Sequence, residues 1–197
     1  LADCCCMLCA ETAYELRKAT DYLIGSPAEI PGYGAPYDKI APDVFGKTEQ
    51  FYETIVNDYA ADYKDYLPLA AIKLDKMEQL ADATRAMMPQ IADFLNQPVA
   101  NVMQGIIYYY APGGKSDDTN KVMYDMKDVI KAAAAEKNPE QYQQWLQAFN
   151  EAVKMQVTSA NWETMNYNTV NFNDFSSTYS AENQGCMSMF FPLEKSQ

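Results

Sequence analysis

Two short apolar runs, residues 1–7 and 22–25, lie on either side of a stretch whose apolar residues recur with helical spacing. In that stretch Cys9, Ala13 and Leu16 fall on one face, and Glu11, Glu15 and Lys18 fall elsewhere. Strand, helix and strand thus fit within the first 25 residues. A helix crossing over between two short strands is the pattern of parallel neighbours in one sheet.

The alternation continues. A helix capped by Thr48 is predicted to run over 48–65, with Phe51, Ile55, Tyr59 and Tyr63 on one face. Residues 69–74 form a third predicted strand, after which Asp75 is expected to cap a long helix striped by Met77, Leu80, Thr84, Met87, Ile91 and Leu95. Residues 105–110 fit a strand or a buried helix equally, because periodicity does not separate short apolar runs. Val122, Met126, Val129 and Ala133 mark a further helix. Asn138-Pro139 opens another, with proline at its first position and a stripe of Tyr142, Trp145, Phe149 and Val153. Residues 187–191 are the last predicted strand. Residues 26–46, rich in proline and glycine, are predicted as one long loop, 113–118 as a shorter one, and 159–184 as polar chain without a period. The expected class is therefore α/β, a mostly parallel sheet flanked by helices. Its 197 residues suit one domain, with the sheet core in 1–110 and a helical part plus the last strand in 111–197.

A net charge of −12 argues against nucleic acid as a partner. No stretch approaches the roughly 20 apolar residues of a membrane helix, so no span is expected. The chain opens at Leu1 inside a predicted strand, with neither an initiator methionine nor the basic and apolar regions of a signal peptide. The expectation is a domain truncated at its N-terminus.

Four of the five cysteines, Cys4, Cys5, Cys6 and Cys9, crowd this first segment, and Cys186 stands far away. Such spacings do not make a disulfide framework, and the pattern lacks the paired Cys-x-x-Cys and His spacing of zinc. Residues 1–4, Leu-Ala-Asp-Cys, echo a lipoprotein cleavage box, but no apolar segment precedes them and Asp fits that box poorly. Cys5 falls where the first strand gives way to the helix. Chemistry in open α/β sheets collects there, and a helix N-terminus favours the thiolate form. The plain alternative for Cys5 is a small core residue. Asp3, two residues earlier on the same strand, is expected to share its face.

The run Asp3-Cys4-Cys5-Cys6-Met7, with Glu11 and then Ala13-Tyr14-Glu15-Leu16, resembles the nucleophile segment of clostripain-like cysteine peptidases. Cys4 stands where that family usually has alanine. The run from Asp21 to Gly34 resembles the family's next strand and active-site loop, and Met187-Ser188-Met189-Phe190-Phe191-Pro192 resembles a late strand. The resemblance implies a caspase-like fold and a bacterial endopeptidase, secreted or in the cell envelope, that acts on polypeptides. It implies that Cys5 is the nucleophile and that Asp3 lies in the pocket for a basic residue before the scissile bond. Ser26, Glu29 and Tyr33 would line the substrate cleft. Ala35 and Pro36 occupy a stretch where some members carry a second acid, which weakens any expectation of strict Arg specificity; Asp38 lies nearby.

Cysteine acyl transfer uses a general base, in this family a histidine, and this chain contains none. The base is expected in a preceding portion or an associated light chain. The alternatives are a pseudoenzyme serving as a peptide- or glycan-binding envelope module, whose contacts could come from residues 161–179, or an unrelated family. No cofactor is expected. Some relatives need calcium, and no EF-hand-like run of ligands is present.

Overall fold

The computed structural model describes residues 1–46, 48–63, 66–97, 105–110, 122–164, 168–171 and 181–191. The order is α1 (Ala10–Leu16), β1 (Tyr22–Gly25), α2 (Tyr37–Phe45), α3 (Phe51–Tyr63), β2 (Leu69–Lys73), a 3-10 turn (Leu74–Lys76), α4 (Met77–Leu95), β3 (Tyr108–Tyr110), β4 (Met123–Asp125), α5 (Met126–Ala134), α6 (Pro139–Ala152), β5 (Val153–Val157), β6 (Asn161–Thr164), β7 (Asn168–Asn171), a second 3-10 turn (Ala181–Asn183) and β8 (Ser188–Phe190). Strands β1-β2-β5 make one sheet, β3-β4-β8 a second, and β6-β7 a hairpin.

Strand β2 shows how the layers form. Its side chains alternate between faces with period two. Leu69 and Ala71 join a cluster with Ile24, Ile40, Ile55 and Tyr59, on the side of α2 and α3. Ala70 and Ile72 join a larger one with Leu80, Met87, Trp145 and Phe149, from α4 and α6. All four strand residues are fully buried. The sheet is sandwiched between helices, and fully burying Leu69 or Ile72 contributes about 1.5–3 kcal/mol each.

The ladders between described strands are antiparallel, against the expectation of a mostly parallel sheet. For β1 and β2 the cause lies in residues 26–46, which are not all loop: α2 forms there, with Pro42 inside it and Ile40 as its buried residue. One crossover helix returns a strand in the same direction, whereas two successive helices, α2 and α3, reverse the chain once more. Strand β2 therefore runs opposite to β1.

Other boundaries moved for local reasons. Lys76 rather than Asp75 precedes α4, without a side-chain cap, because residues 74–76 tighten into the 3-10 turn. Val122 precedes β4, and Asp125 ends that strand and caps α5 by accepting from the Asp128 amide. Asn138 caps α6 as predicted, with Pro139 at the first position. Strand β5 follows α6 directly, so Val153 is its first residue rather than the end of a helical stripe. The predicted loop 113–118 and part of the polar stretch, 172–180, lie outside the described residues.

Residues 1–7 do not form the predicted buried strand: Cys4 and Cys5 are exposed, and of the first eight residues only Leu8 is buried. The segment nevertheless runs alongside β1 in the same direction, with Ala2 donating to the Ile24 carbonyl and Leu8 to the Ser26 carbonyl. Between these two bonds the chain advances six residues on one side and two on the other. The surplus is thrown out as a turn over residues 4–6. Beyond the turn Leu8 accepts from the Ser188 amide, and a parallel bridge joins Cys9 to Ser188. The excursion therefore sits at the seam between the two three-stranded sheets.

Candidate active site

Cys6 has φ +57°, in the left-handed region that costs a non-glycine residue about 1–2 kcal/mol. Its amide is fixed by the Ala28 carbonyl at 2.9 Å. Strain held in place by surrounding bonds is a common feature of functional turns. Here it lifts Cys5 out of the sheet. The Ile30 amide donates to the Cys5 sulfur at 3.3 Å, and the thiol faces the Ile30 carbonyl at 3.7 Å. The helix N-terminus expected beside Cys5 lies further on: the N-cap of α1 is Cys9, whose thiol donates to the Thr12 hydroxyl at 3.0 Å.

The other thiols differ in setting. Burial, with the neighbouring Cys5, Glu29 and Cys9, pushes the Cys6 thiol up to about 12. Cys186 is fully buried and its thiol is also raised, again mainly by burial. Both remain protonated at neutral pH, and a thiol, unlike a thiolate, is a poor nucleophile.

Asp3 turns toward the same loop as Cys5. Its Oδ2 accepts from the Ala35 amide at 3.1 Å and the Tyr37 hydroxyl at 2.8 Å. Its Oδ1 accepts from the Tyr59 hydroxyl at 2.8 Å. Partial burial pushes the carboxyl up, but the bonds from Ala35, Tyr37 and Tyr59 together outweigh it and hold Asp3 below its ordinary value. The group is a carboxylate at neutral pH. Donation to Asp3 raises the Tyr37 hydroxyl, and burial followed by that same donation raises Tyr59. Both stay protonated donors.

The loop has its own supports. Gly34, at φ +69°, closes a turn by donating to the Pro31 carbonyl at 2.9 Å. A Cβ on Gly34 would come within 2.8 Å of Asp3 Oδ2, so glycine is needed for this approach. The Tyr63 hydroxyl donates to the Gly34 carbonyl, and Tyr33 stacks on Tyr63 with ring centroids 5.7 Å apart. Tyr33 remains 84% exposed, a flat apolar face at the rim. Ser26 is fully buried, and its hydroxyl accepts from the Ala28 amide at 3.0 Å, so it braces the loop from inside. Glu29 is half-buried near Cys6, and Asp38 is exposed at the start of α2.

The structure thus brings Cys5, Asp3 and Tyr33 to one loop. It adds groups that the sequence reading had not picked out: Tyr37, Tyr59 and the backbone of Ile30 and Ala35. Tyr59 had been read only as part of an apolar stripe. A buried tyrosine needs a partner for its hydroxyl, and that need was the available signal.

A groove of about 420 Å³ lies elsewhere, lined by Tyr14, Met77, Leu80, Thr84, Met88 and Met189 among others. It is apolar, and its Thr84 hydroxyl is engaged with the Leu80 carbonyl and the Trp145 indole. Glu11, Glu15 and Arg85 also stand among its lining residues, but no cysteine does, so it lacks the thiol that this acyl transfer requires. Among the described residues, no group of three or more Cys, Asp or Glu is arranged to hold a metal ion, and no helix is long and apolar enough to cross a membrane.

No curated protein matches the chain in sequence. Solved structures do match in fold. A cysteine protease from B. fragilis superposes with a TM-score of 0.78 at 22% identity, over 99% of this chain and 78% of that one. An inactive zymogen C11 protease from Parabacteroides distasonis gives 0.75 at 25% identity, over 96% of this chain and 51% of that one. A secreted C11 cysteine protease from Bacteroides thetaiotaomicron, in complex with an irreversible peptide inhibitor, gives 0.71 at 22% identity, over 99% and 52%. The chain therefore spans about half the length of the last two. The architecture is the caspase-like α/β fold of these proteases. The clostripain family profile matches residues 1–196, so the chain belongs to the clostripain family of cysteine proteases.

Proposed function

We propose that this chain is the nucleophile-bearing portion of a cysteine endopeptidase that cleaves peptide bonds after Lys or Arg. The observation that carries the reading is the pairing of an exposed thiol, Cys5, with an ionised, partly buried carboxylate, Asp3, on one excursion facing one loop. A histidine outside this chain takes the Cys5 thiol proton, and the sulfur attacks the scissile carbonyl carbon to form a C–S bond. The developing oxyanion is held by the Cys5 amide and a second donor outside this chain. The C–N bond breaks, and the same histidine gives that proton to the leaving amine. Water then attacks the thioester carbon, the C–S bond breaks, and the carboxylic acid leaves as the sulfur regains a proton. No cofactor enters these steps.

Asp3 supplies the charge for the basic side chain before the scissile bond, and Tyr33 an apolar wall beside it. Glu29 and Ser26 shape the loop that carries both. A secreted or cell-envelope location fits this assignment, since two of the matching solved structures are described as secreted proteases. The absence of histidine from the sequence favours a second reading, a pseudoenzyme that binds peptide or glycan without cleaving it.

One experiment separates the two. The chain, assembled with its histidine-bearing portion, is treated with a peptidyl-Lys acyloxymethyl ketone. Covalent labelling lost on Cys5→Ala supports the peptidase. Labelling that survives Cys5→Ala, or a histidine-containing protein that leaves peptide libraries intact, refutes it.

A further inference from the structure

A carboxylate offers about four acceptor directions, two on each oxygen. At Asp3 three are taken. Oδ2 is saturated by the Ala35 amide and the Tyr37 hydroxyl, and Oδ1 holds the Tyr59 hydroxyl. The remaining direction lies on Oδ1 alone. Gly34 closes the other side, since even a methyl group there would meet Oδ2 at 2.8 Å.

The two basic side chains ask different things of such a group. A guanidinium binds a carboxylate best as a fork, with two parallel N–H donors on two oxygens. An ammonium is a compact charge that needs one direct contact and fills its other donors elsewhere. Resting on the reading of Asp3 as the floor of the specificity pocket, we propose that the Tyr37 hydroxyl makes this site select lysine over arginine. With the Ala35 amide it fills Oδ2 and withholds the second acceptor that an arginine fork requires, while Tyr59 holds Oδ1 in place.

The two tyrosines act from different positions. Tyr59 is fully buried on α3 and fixes Oδ1 from within. Tyr37 stands at the start of α2 and is 56% exposed, so it is the member an arginine would have to displace. Both are positioning residues, acting through Asp3. Neither surrenders its proton at working pH, so the block does not titrate away.

The test uses the protein assembled with its histidine-bearing portion and two peptides that differ only in Lys or Arg before the scissile bond. The native protein should favour Lys in kcat/KM by about tenfold or more, the scale of one charge-assisted bond. Tyr37→Phe frees an Oδ2 direction and should raise kcat/KM for Arg relative to Lys by about tenfold. Tyr59→Phe frees a second direction only on Oδ1, where one is already open, so it should leave the ratio unmoved. A merely structural role for the Tyr37 hydroxyl would lower both substrates together and leave the ratio fixed. Native protein that cleaves after Arg as well as after Lys overturns the proposal, as does a ratio unmoved by Tyr37→Phe. Failure to cleave after either residue, with no labelling of Cys5, overturns it together with the peptidase reading beneath it.

Discussion

Asp3 and Asp125 have nearly the same hydrogen-bond environment. Each has one oxygen that takes a tyrosine hydroxyl and a backbone amide, and a second oxygen that takes one further donor. For Asp3 these are Tyr37, Ala35 and Tyr59. For Asp125 they are Tyr109 at 2.6 Å, Gly185 at 2.8 Å and the Asp128 amide at 3.1 Å. Yet Asp3 is held below the ordinary carboxyl range, and Asp125 is pushed up to about 6. The difference is solvent. Asp125 is fully buried, and its desolvation outweighs the same three donors that prevail at the rim. The half-open carboxylate keeps its charge at neutral pH, whereas the sealed one ties together β4, the start of α5 and the chain entering β8.

That contrast predicts opposite consequences of truncation, and the largest is inside. Asp125→Ala strips an acceptor from two backbone amides and the Tyr109 hydroxyl in a closed space. Each orphaned donor costs about 1 kcal/mol or more, so a loss of about 3–5 kcal/mol is expected by denaturant titration. Asp3→Asn should leave the unfolding midpoint within about 1 kcal/mol of native, because its surroundings are half-open to water. Its effect falls on substrate: hydrolysis after Lys should drop by about a hundredfold in kcat/KM, with no comparable gain for neutral residues. If instead Asp3→Asn unfolds the protein while Asp125→Ala is tolerated, the assignment of the two roles is reversed.

Protonation probes the same difference. Burial, and then the nearby charge of Asp125, pushes Asp128 up to about 7 against an ordinary value of 3.8. With Asp125 near 6, the folded protein binds more protons than the unfolded chain between about pH 4 and 7. Their joint contribution to stability is therefore fully present below about pH 4 and is lost as pH rises through 6 and 7. Asp3 has the opposite sign: its lowered value favours folding above about pH 4, and that favour is lost as pH falls through its folded value. The melting temperature should rise by on the order of 5 °C on going from pH 8 to pH 5. Asp128→Asn keeps an acceptor for the Ile107 amide at 2.9 Å but removes the charge, so its profile should be flatter. Native and variant profiles of equal slope would show that other acids set the pH dependence.

How far the sequence could anticipate this follows from which interactions are local. The stripe Ile55, Tyr59 and Tyr63 and the Asn138-Pro139 cap depend on residues within a few positions, and both appear as predicted. Cys5 and Asp3 stand out in the sequence through the resemblance of one short segment to the clostripain-like family, and both reach the 26–46 stretch. The direction of β2 was not legible, because α2 forms in a stretch whose prolines and glycines suggest loop. Nor was the acceptor saturation of Asp3. Its donors come from positions 35, 37 and 59, and no pattern within the first segment encodes contacts that depend on folding the α2–α3 turn against it.

The smallest expected effect, and the finest test of the comparison, comes from the glycine beside each carboxylate. A Cβ on Gly34 would meet Asp3 Oδ2 at 2.8 Å, and one on Gly185 would meet the Lys127 Cβ and Phe149 Cζ at 2.8 Å and Asp125 Oδ1 at 3.1 Å. Gly34→Ala adds left-handed strain of about 1–2 kcal/mol, but the carboxylate it presses on can swing toward solvent. The result should be a modest loss of stability with a clear fall in Lys-dependent hydrolysis, as Asp3 leaves its three donors. Gly185→Ala presses on packed carbon as well as on a sealed carboxylate, so overpacking of about 1–3 kcal/mol should appear in stability. Its surviving folded fraction should then hydrolyse at the native rate. If the two variants lose stability and activity in the same proportion, the rim and the interior are coupled, and separate roles for the two acids no longer hold.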